Sequence, residues 1–221
     1  MRKLIRGIAE FREEKLSDYR EKFARLALGQ TPDALFIACS DSRVVPNIFV
    51  STDPGDLFVV RNVGNLIPPY ARNGLSIVGT SEAAAIEFAL SFLNVSDVII
   101  CGHSECAAMQ TLCSGREKLT SPNLCSWLQY GEHCLQLLRE KPDFAADLQA
   151  HNRLSQINVL QQLEHLTTYP AVQERVNTGR LRMHGWWFDL STADVYSYES
   201  SESKFVVIDS AQAGRILSRI G

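Results

Sequence analysis

Leu35-Phe36-Ile37-Ala38-Cys39-Ser40-Asp41-Ser42-Arg43 decides the reading of this chain. An apolar run passes directly into a thiol, a carboxylate and a guanidinium at alternate positions. Such a run, bounded by small polar residues, reads as a buried strand of a parallel sheet. In open parallel sheets the chemistry sits just past the carboxyl ends of the strands, and Cys39, Asp41 and Arg43 fall there. A second stretch repeats the layout: Val98-Ile99-Ile100-Cys101-Gly102 runs into His103-Ser104-Glu105-Cys106. Two buried strands therefore deliver Cys39, His103 and Cys106 to one edge. Two cysteines and a histidine beside a carboxylate form a zinc-ligand set with one position left for chemistry.

Outward from these strands, the pattern is that of an α/β protein. Residues 3–28 read as a helical arm in two pieces, with Ile5, Ile8, Phe11, Leu16, Tyr19, Phe23 and Leu26 along one face and Ser17-Asp18 as a cap that restarts it. The arm packs either on its own sheet or on another subunit. Pro46 opens a short helix through Phe49. Leu57–Val60 is a second buried strand, ending in the polar loop Arg61–Asn65 at the same edge as the ligands. Thr80 or Ser81 caps a helix through Leu93, and the spacing of His103 and Cys106 places both on one side of a first helical turn. Residues 121–177 are helical, punctuated by Pro142 and Pro170. Alternation over 180–187 marks a strand, 195–198 and 205–208 further short strands, and the tail after Ala211 a last helix. The expected fold is a mostly parallel central sheet flanked by helices, in one domain spanning 1–221.

Composition narrows the class. The 221 residues suffice for a sizeable core, and 45 % apolar with 21 % charged residues is ordinary for a globular chain. A net charge of −3, with Lys and Arg scattered, leaves no nucleic-acid footprint. No apolar run reaches the length of a membrane span, and Met1–Arg6 lacks the apolar stretch of a signal peptide. Six cysteines without such a signal read as reduced thiols and metal ligands, which places the chain in the cytoplasm. Cys101, Cys113, Cys125 and Cys134 read as small core hydrophobes, and His133, His151, His165 and His184 as ordinary core or surface residues, His165 on a solvated helix face. A phosphatase loop on Cys39 would need five residues before its arginine, whereas three intervene here. A redox role lacks a Cys-x-x-Cys pair.

These motifs together resemble the β-class carbonic anhydrases. The matching stretches are Cys39–Arg43, Pro54-Gly55-Asp56 with Phe58–Asn65, Gly102–Cys106, and His184-Gly185-Trp186 with Asp189. The resemblance, strongest to the branch of plant and bacterial cyanate-operon enzymes, spans nearly the whole chain. It implies reversible hydration of carbon dioxide to bicarbonate, with one zinc per chain held by Cys39, His103 and Cys106. Zinc would lower the pKa of a bound water from ~15.7 toward ~7. Asp41 would orient that water, and Arg43 would hold Asp41 off the metal. Gln30, Phe58, Phe88 and Ala107 match the substrate pocket, which in the family lies at a dimer interface wrapped by N-terminal helices. The implied particle is a homodimer or a higher even-numbered homo-oligomer, with arm 1–28 on its partner. Ala107 stands where the family usually has glycine, and Phe88 where tyrosine is commoner. Phe36, Arg61 and Phe88 match a bicarbonate-holding regulatory pocket of one branch, of which only the arginine is present here. Hydrolysis of carbon disulfide or carbonyl sulfide on the same fold, and a silent zinc-binding role, remain alternatives.

Overall fold

The computed structural model describes residues 1–71 and 80–220; the side chain of Thr80, one of the two expected caps, lies outside the described residues. In chain order the elements are α1 (Arg2–Glu10), α2 (Leu16–Leu26), β1 (Ala34–Cys39), α3 (Pro46–Phe49), β2 (Leu57–Asn62), α4 (Thr80–Ser91), β3 (Asp97–His103) and α5 (Ala107–Ser114). There follow α6 (Pro122–Leu128), α7 (His133–Glu140), α8 (Ala150–Thr167), α9 (Pro170–Asn177), β4 (Arg182–Phe188), β5 (Val195–Glu199), β6 (Lys204–Val207) and α10 (Ser210–Ile220). The strands form one sheet in the order β2-β1-β3-β4-β5-β6. The first four run parallel, and β5 and β6 extend the sheet antiparallel.

Why β1 and β3 sit in the middle follows from their side chains. Both are apolar at successive positions, so each face needs its own cover. Leu35, Ile37, Val98 and Ile100 point to one face, against Ile86, Leu90, Val159 and Leu166. Phe36, Ala38, Ile99 and Cys101 point to the other, against Phe49, Trp186 and Phe188. Burying each large aliphatic side chain contributes about 1.5–3 kcal/mol. A third cluster joins Cys39 and Cys106 to Leu66, Met109, Leu112, Leu128, Leu154 and Ile157 behind the carboxyl edge. Gly102 allows α8 to lie directly on β3: a Cβ there would meet Val159 Cγ2 at 2.8 Å. The outer edge of β2 has no strand partner among the described residues, and its Leu57–Val60 stretch is only half-buried.

The arm departs from the sequence expectation. Ser17 does not cap a second helix; its hydroxyl donates to Asp18 Oδ1 at 3.3 Å. Instead the backbone passes from α1 to α2 through a π-helical turn, Phe11–Lys15. The wider turn absorbs the change of register that a restart would have supplied, and the apolar stripe runs on, with the Phe11–Tyr19 and Tyr19–Phe23 ring centroids 6.0 and 6.1 Å apart. None of the residues in α1, the π turn or α2 is buried. Also, His103 and Cys106 do not share a helical turn: His103 ends β3, and Cys106 is the N-cap of α5. His165 is half-buried rather than solvated, with Nδ1 2.7 Å from the carbonyl oxygen of Ile67.

Candidate metal centre

The pairing registers explain how residues so far apart in sequence meet. Cys39 stands opposite Asn62 at the ends of β1 and β2, and Ala38 stands opposite Cys101, two residues before His103. Cys106 follows after a two-residue turn. The two sulfurs and one ring nitrogen lie within 4.8 Å of one another, all buried. That separation is within reach of one ion with bonds of ~2.0–2.3 Å.

His103 carries the most telling detail. Its Nδ1 lies 2.8 Å from the Ser104 carbonyl oxygen, so this nitrogen bears the hydrogen and donates it. The lone pair is then on Nε2, which is fully buried and has no hydrogen-bond partner. An orphaned acceptor in an interior is costly unless a ligand meets it, and a histidine fixed through its other nitrogen is the usual form of a metal ligand. The sulfurs are prepared in the same sense. Cys39 accepts from the Gly64 amide at 3.4 Å. Hydrogen bonding from Cys106 outweighs burial and lowers the Cys39 thiol well below its ordinary value. Cys106 is pushed up in turn, because the proton is left on its sulfur when Cys39 ionises; the amides of Ala108 and Met109 at the start of α5 oppose that rise. A metal would take the place of the shared proton. Cys2His therefore fits zinc.

Asp41 and Arg43 sit beside this centre as a fork-to-fork pair. Arg43 Nε donates to Oδ1 at 2.9 Å and Nη2 to Oδ2 at 2.7 Å, while the Arg43 backbone amide also donates to Oδ1 at 3.0 Å. The guanidinium holds the Asp41 carboxyl well below the usual carboxylate range, against the opposing effect of burial. Arg61 serves the same loop, donating to the carbonyls of Cys39 at 3.1 Å and Asp41 at 2.6 Å.

The pocket positions divide. Ala107 adjoins Cys106 at the head of α5. Phe58, opposite Leu35, lies four residues up the sheet from the Cys39–Asn62 pair, about 13 Å at strand rise. Phe88 is with Phe58, their rings 5.7 Å apart, and Gln30 is exposed ahead of β1. Within one chain these three stand toward the amino ends of the strands, away from the metal centre. Phe36 and Phe88 do not meet either, since Phe36 packs on Phe49 and Trp186 across the sheet. Arg61 thus works on the Cys39–Asp41 backbone and not in a pocket with them.

Sequence reasoning missed the polar side chains of α8. Ser155 donates to the His103 carbonyl at 2.8 Å, Asn152 accepts from the Glu105 amide at 2.8 Å, and Asn158 donates to the Gly64 carbonyl at 3.0 Å. Gln162 accepts from the Ile67 amide at 2.7 Å. They recur at helical spacing, but nothing in that spacing names their partners, which are distant backbone groups.

The comparisons with known proteins agree with this geometry. The family model for carbonic anhydrase matches residues 34–195. A carbonic anhydrase of Synechocystis is 40 % identical over 210 residues, covering 93 % of this chain and 74 % of its own. One from Pseudomonas aeruginosa is 36 % identical, covering 93 % and 91 %. Among solved structures, the β-carbonic anhydrase CcaA superposes with a TM-score of 0.83 at 39 % identity, covering 95 % of this chain and 92 % of that one. With its sheet, its Cys-His-Cys group and these relatives in agreement, the chain belongs to the β-carbonic anhydrase family.

Proposed function

We propose that this chain catalyses the reversible hydration of carbon dioxide to bicarbonate, with one zinc held by Cys39, His103 and Cys106. The observation that carries the reading is the buried, unpartnered His103 Nε2 facing two sulfurs, with the Asp41–Arg43 pair intact beside it. Zinc, when bound there, supplies a Lewis acid that makes water acidic enough to attack at neutral pH. Asp41 is the acceptor that orients the attacking water. Because Arg43 keeps Asp41 ionised, the carboxylate holds a hydrogen bond at neutral pH without itself taking up the proton. The bidentate grip also fixes which lone pairs remain free and keeps the carboxylate from swinging to the fourth metal position.

The site draws on a second copy of the chain. Gln30, Phe58 and Phe88 stand too far up the sheet to touch a substrate at the metal centre of their own chain, so a partner presents them. An apolar arm stripe and exposed Ile48, Phe88 and Phe92 are available for that contact, and a relative from Sordaria macrospora, 26 % identical, is described as tetrameric. We read residues 1–221 as one domain with arm 1–28 laid on its partner, in a homodimer or larger even-numbered assembly. Six free cysteines accord with a reducing cytoplasm, and no described helix is long and apolar enough to cross a membrane. Stopped-flow hydration of carbon dioxide, with zinc quantified, tests the activity; a zinc-loaded chain without it would refute the reading. Sedimentation showing an active monomer at micromolar concentration would refute the shared pocket.

A further inference from the structure

The turn between His103 and Cys106 contains a residue in an unfavourable conformation. Glu105 has φ of +54°, in the left-handed region where a residue with a side chain is strained. Its carboxylate meets His151 Nε2 at 3.1 Å and accepts from Gln110 Nε2 at 3.2 Å, but the side chain that bonds its backbone amide is on α8. Asn152 Oδ1 accepts from the Glu105 amide at 2.8 Å, and Asn152 Nδ2 donates to Glu105 Oε1 at 3.0 Å. One carboxamide thus grips a single residue at its backbone and at its side chain. Asn152 is only 8 % exposed. A carboxylate in its place would lose the donor, and an aliphatic residue would lose both bonds.

The consequence lies on the other side of Glu105. Its carbonyl oxygen accepts from Arg43 Nη2 at 3.0 Å, and the same nitrogen donates to Asp41 Oδ2 at 2.7 Å. The Arg43 side chain is half exposed. Among the described residues, this carbonyl is the one point outside Asp41 to which its guanidinium is bonded. Resting on the reading of Asp41 and Arg43 given above, we propose that Asn152 is a positioning residue for the pair. By pinning Glu105 in its left-handed turn, it sets the carbonyl that anchors Arg43, and so keeps Asp41 oriented toward water and off the fourth metal position. Without Asn152, Glu105 relaxes to an ordinary backbone conformation and its carbonyl leaves Arg43. The guanidinium then moves as one body with Asp41.

The test compares the full-length parent, Asn152→Ala, and Asn152→Ala combined with Glu105→Gly. The readouts are zinc content, kcat and KM, and the visible absorption of the Co(II)-loaded proteins. Asn152→Ala is expected to lose about tenfold in kcat, equivalent to about 1.4 kcal/mol, with zinc and KM held and the cobalt band altered. Glycine adopts positive φ without strain, so the double variant is expected to recover both kcat and the band. A parent-like kcat and band in Asn152→Ala would overturn the proposal. So would a loss that follows zinc loss, or one that glycine does not restore. Should Asn152→Ala fail to fold, Asn152→Asp loses the donor and sets a second carboxylate against Glu105 Oε1: a lowered kcat and an altered cobalt band with zinc held then support the proposal, and a parent-like kcat and band overturn it. A zinc-loaded but inactive parent would defeat the assigned reaction instead, and the cobalt comparison would still decide the role of Asn152.

Discussion

The loops after β1 and β3 flank the same Cys39-His103-Cys106 centre, yet they are built on opposite plans. Residues 40–43 are braced by their own side chains, Asp41 and Arg43 making three hydrogen bonds to each other, with Arg61 on the Asp41 carbonyl and the Glu105 carbonyl on Arg43 as ties outward. Residues 104 and 105 are held from outside. Ser104 donates to Asp189 Oδ1 at 3.1 Å and accepts from the Leu190 amide at 2.8 Å, while α8 grips Glu105 and the His103 carbonyl. A loop braced mainly by its own side chains can carry chemistry that is lost without loss of fold. An externally held loop ties the ligands to the packing of the whole sheet.

That contrast can be broken or sharpened by experiment. The largest effect is expected at the shared centre: Cys39→Ala should abolish zinc binding and activity together, whereas Cys134→Ala, in the same apolar cluster but with its thiol on Asn158 and outside the ligand group, should keep both. Full zinc occupancy in Cys39→Ala protein would show that the metal is held elsewhere. Next, Arg43→Ala deletes charge-assisted bonds of about 1.5–3 kcal/mol each. It should therefore cost roughly a hundredfold or more in kcat/KM, with zinc and melting temperature little changed. A large fall in melting temperature would mean that the ties from Arg43 outward, and not the pair itself, hold the β1 loop.

Smaller effects belong to the other plan. Gly102→Ala forces a methyl against Val159 and Ser155, so stability should fall by about 1–3 kcal/mol. This would read as a melting temperature lower by several degrees. An unchanged melting temperature would show that α8 can retreat from β3 without cost. The smallest effect lies at the far end of β3, where Asp97 bonds Arg182 Nε at 2.8 Å and His184 Nε2 lies 2.8 Å from Asp97 Oδ1. Burial pushes Asp97 up, but these partners prevail and bring it down to about 2. A carboxyl lowered on folding stabilises fully above its unfolded pKa of ~3.9, and that contribution is lost as pH falls through the folded value. Allowing for solvent screening, Asp97→Asn should remove about 1–2 kcal/mol of stability at pH 6. The difference from the parent should shrink as pH drops from ~4 toward ~2. A difference constant over that range would mean that the charge of Asp97 contributes nothing.

The same contrast governs what could be read in advance. The strands β1 and β3, their ligands and the Asp41–Arg43 pair were legible because their signals are contiguous: an apolar run followed at once by polar chemistry. The parallel core and its helices followed from that. What stayed hidden depends on contacts between distant residues. Ser17-Asp18 looked like a cap because the rule is local, and only the continuous stripe of the arm shows why a π turn serves instead. Asn152, Ser155, Asn158 and Gln162 were invisible as site residues because their partners are backbone groups up to 95 positions away. Backbone groups leave no mark in a sequence. Gln30, Phe58 and Phe88 could be named only through family resemblance, and their own chain does not bring them to the centre.

The outer edge of β2 has a consequence for how the protein must be made. A strand of Leu57-Phe58-Val59-Val60 whose outer ladder is unpaired among the described residues is a template that any other extended chain can join. Until it is covered, correct association competes with indiscriminate addition, and both speed up as the concentration of nascent protein rises. The yield of usable protein should then depend on the pace of synthesis, with slow production at low temperature favouring covered edges over precipitate. A lysine placed outward on β2 would serve as the probe: it should improve recovery of unassembled chains while weakening whatever ordered contact normally closes that edge.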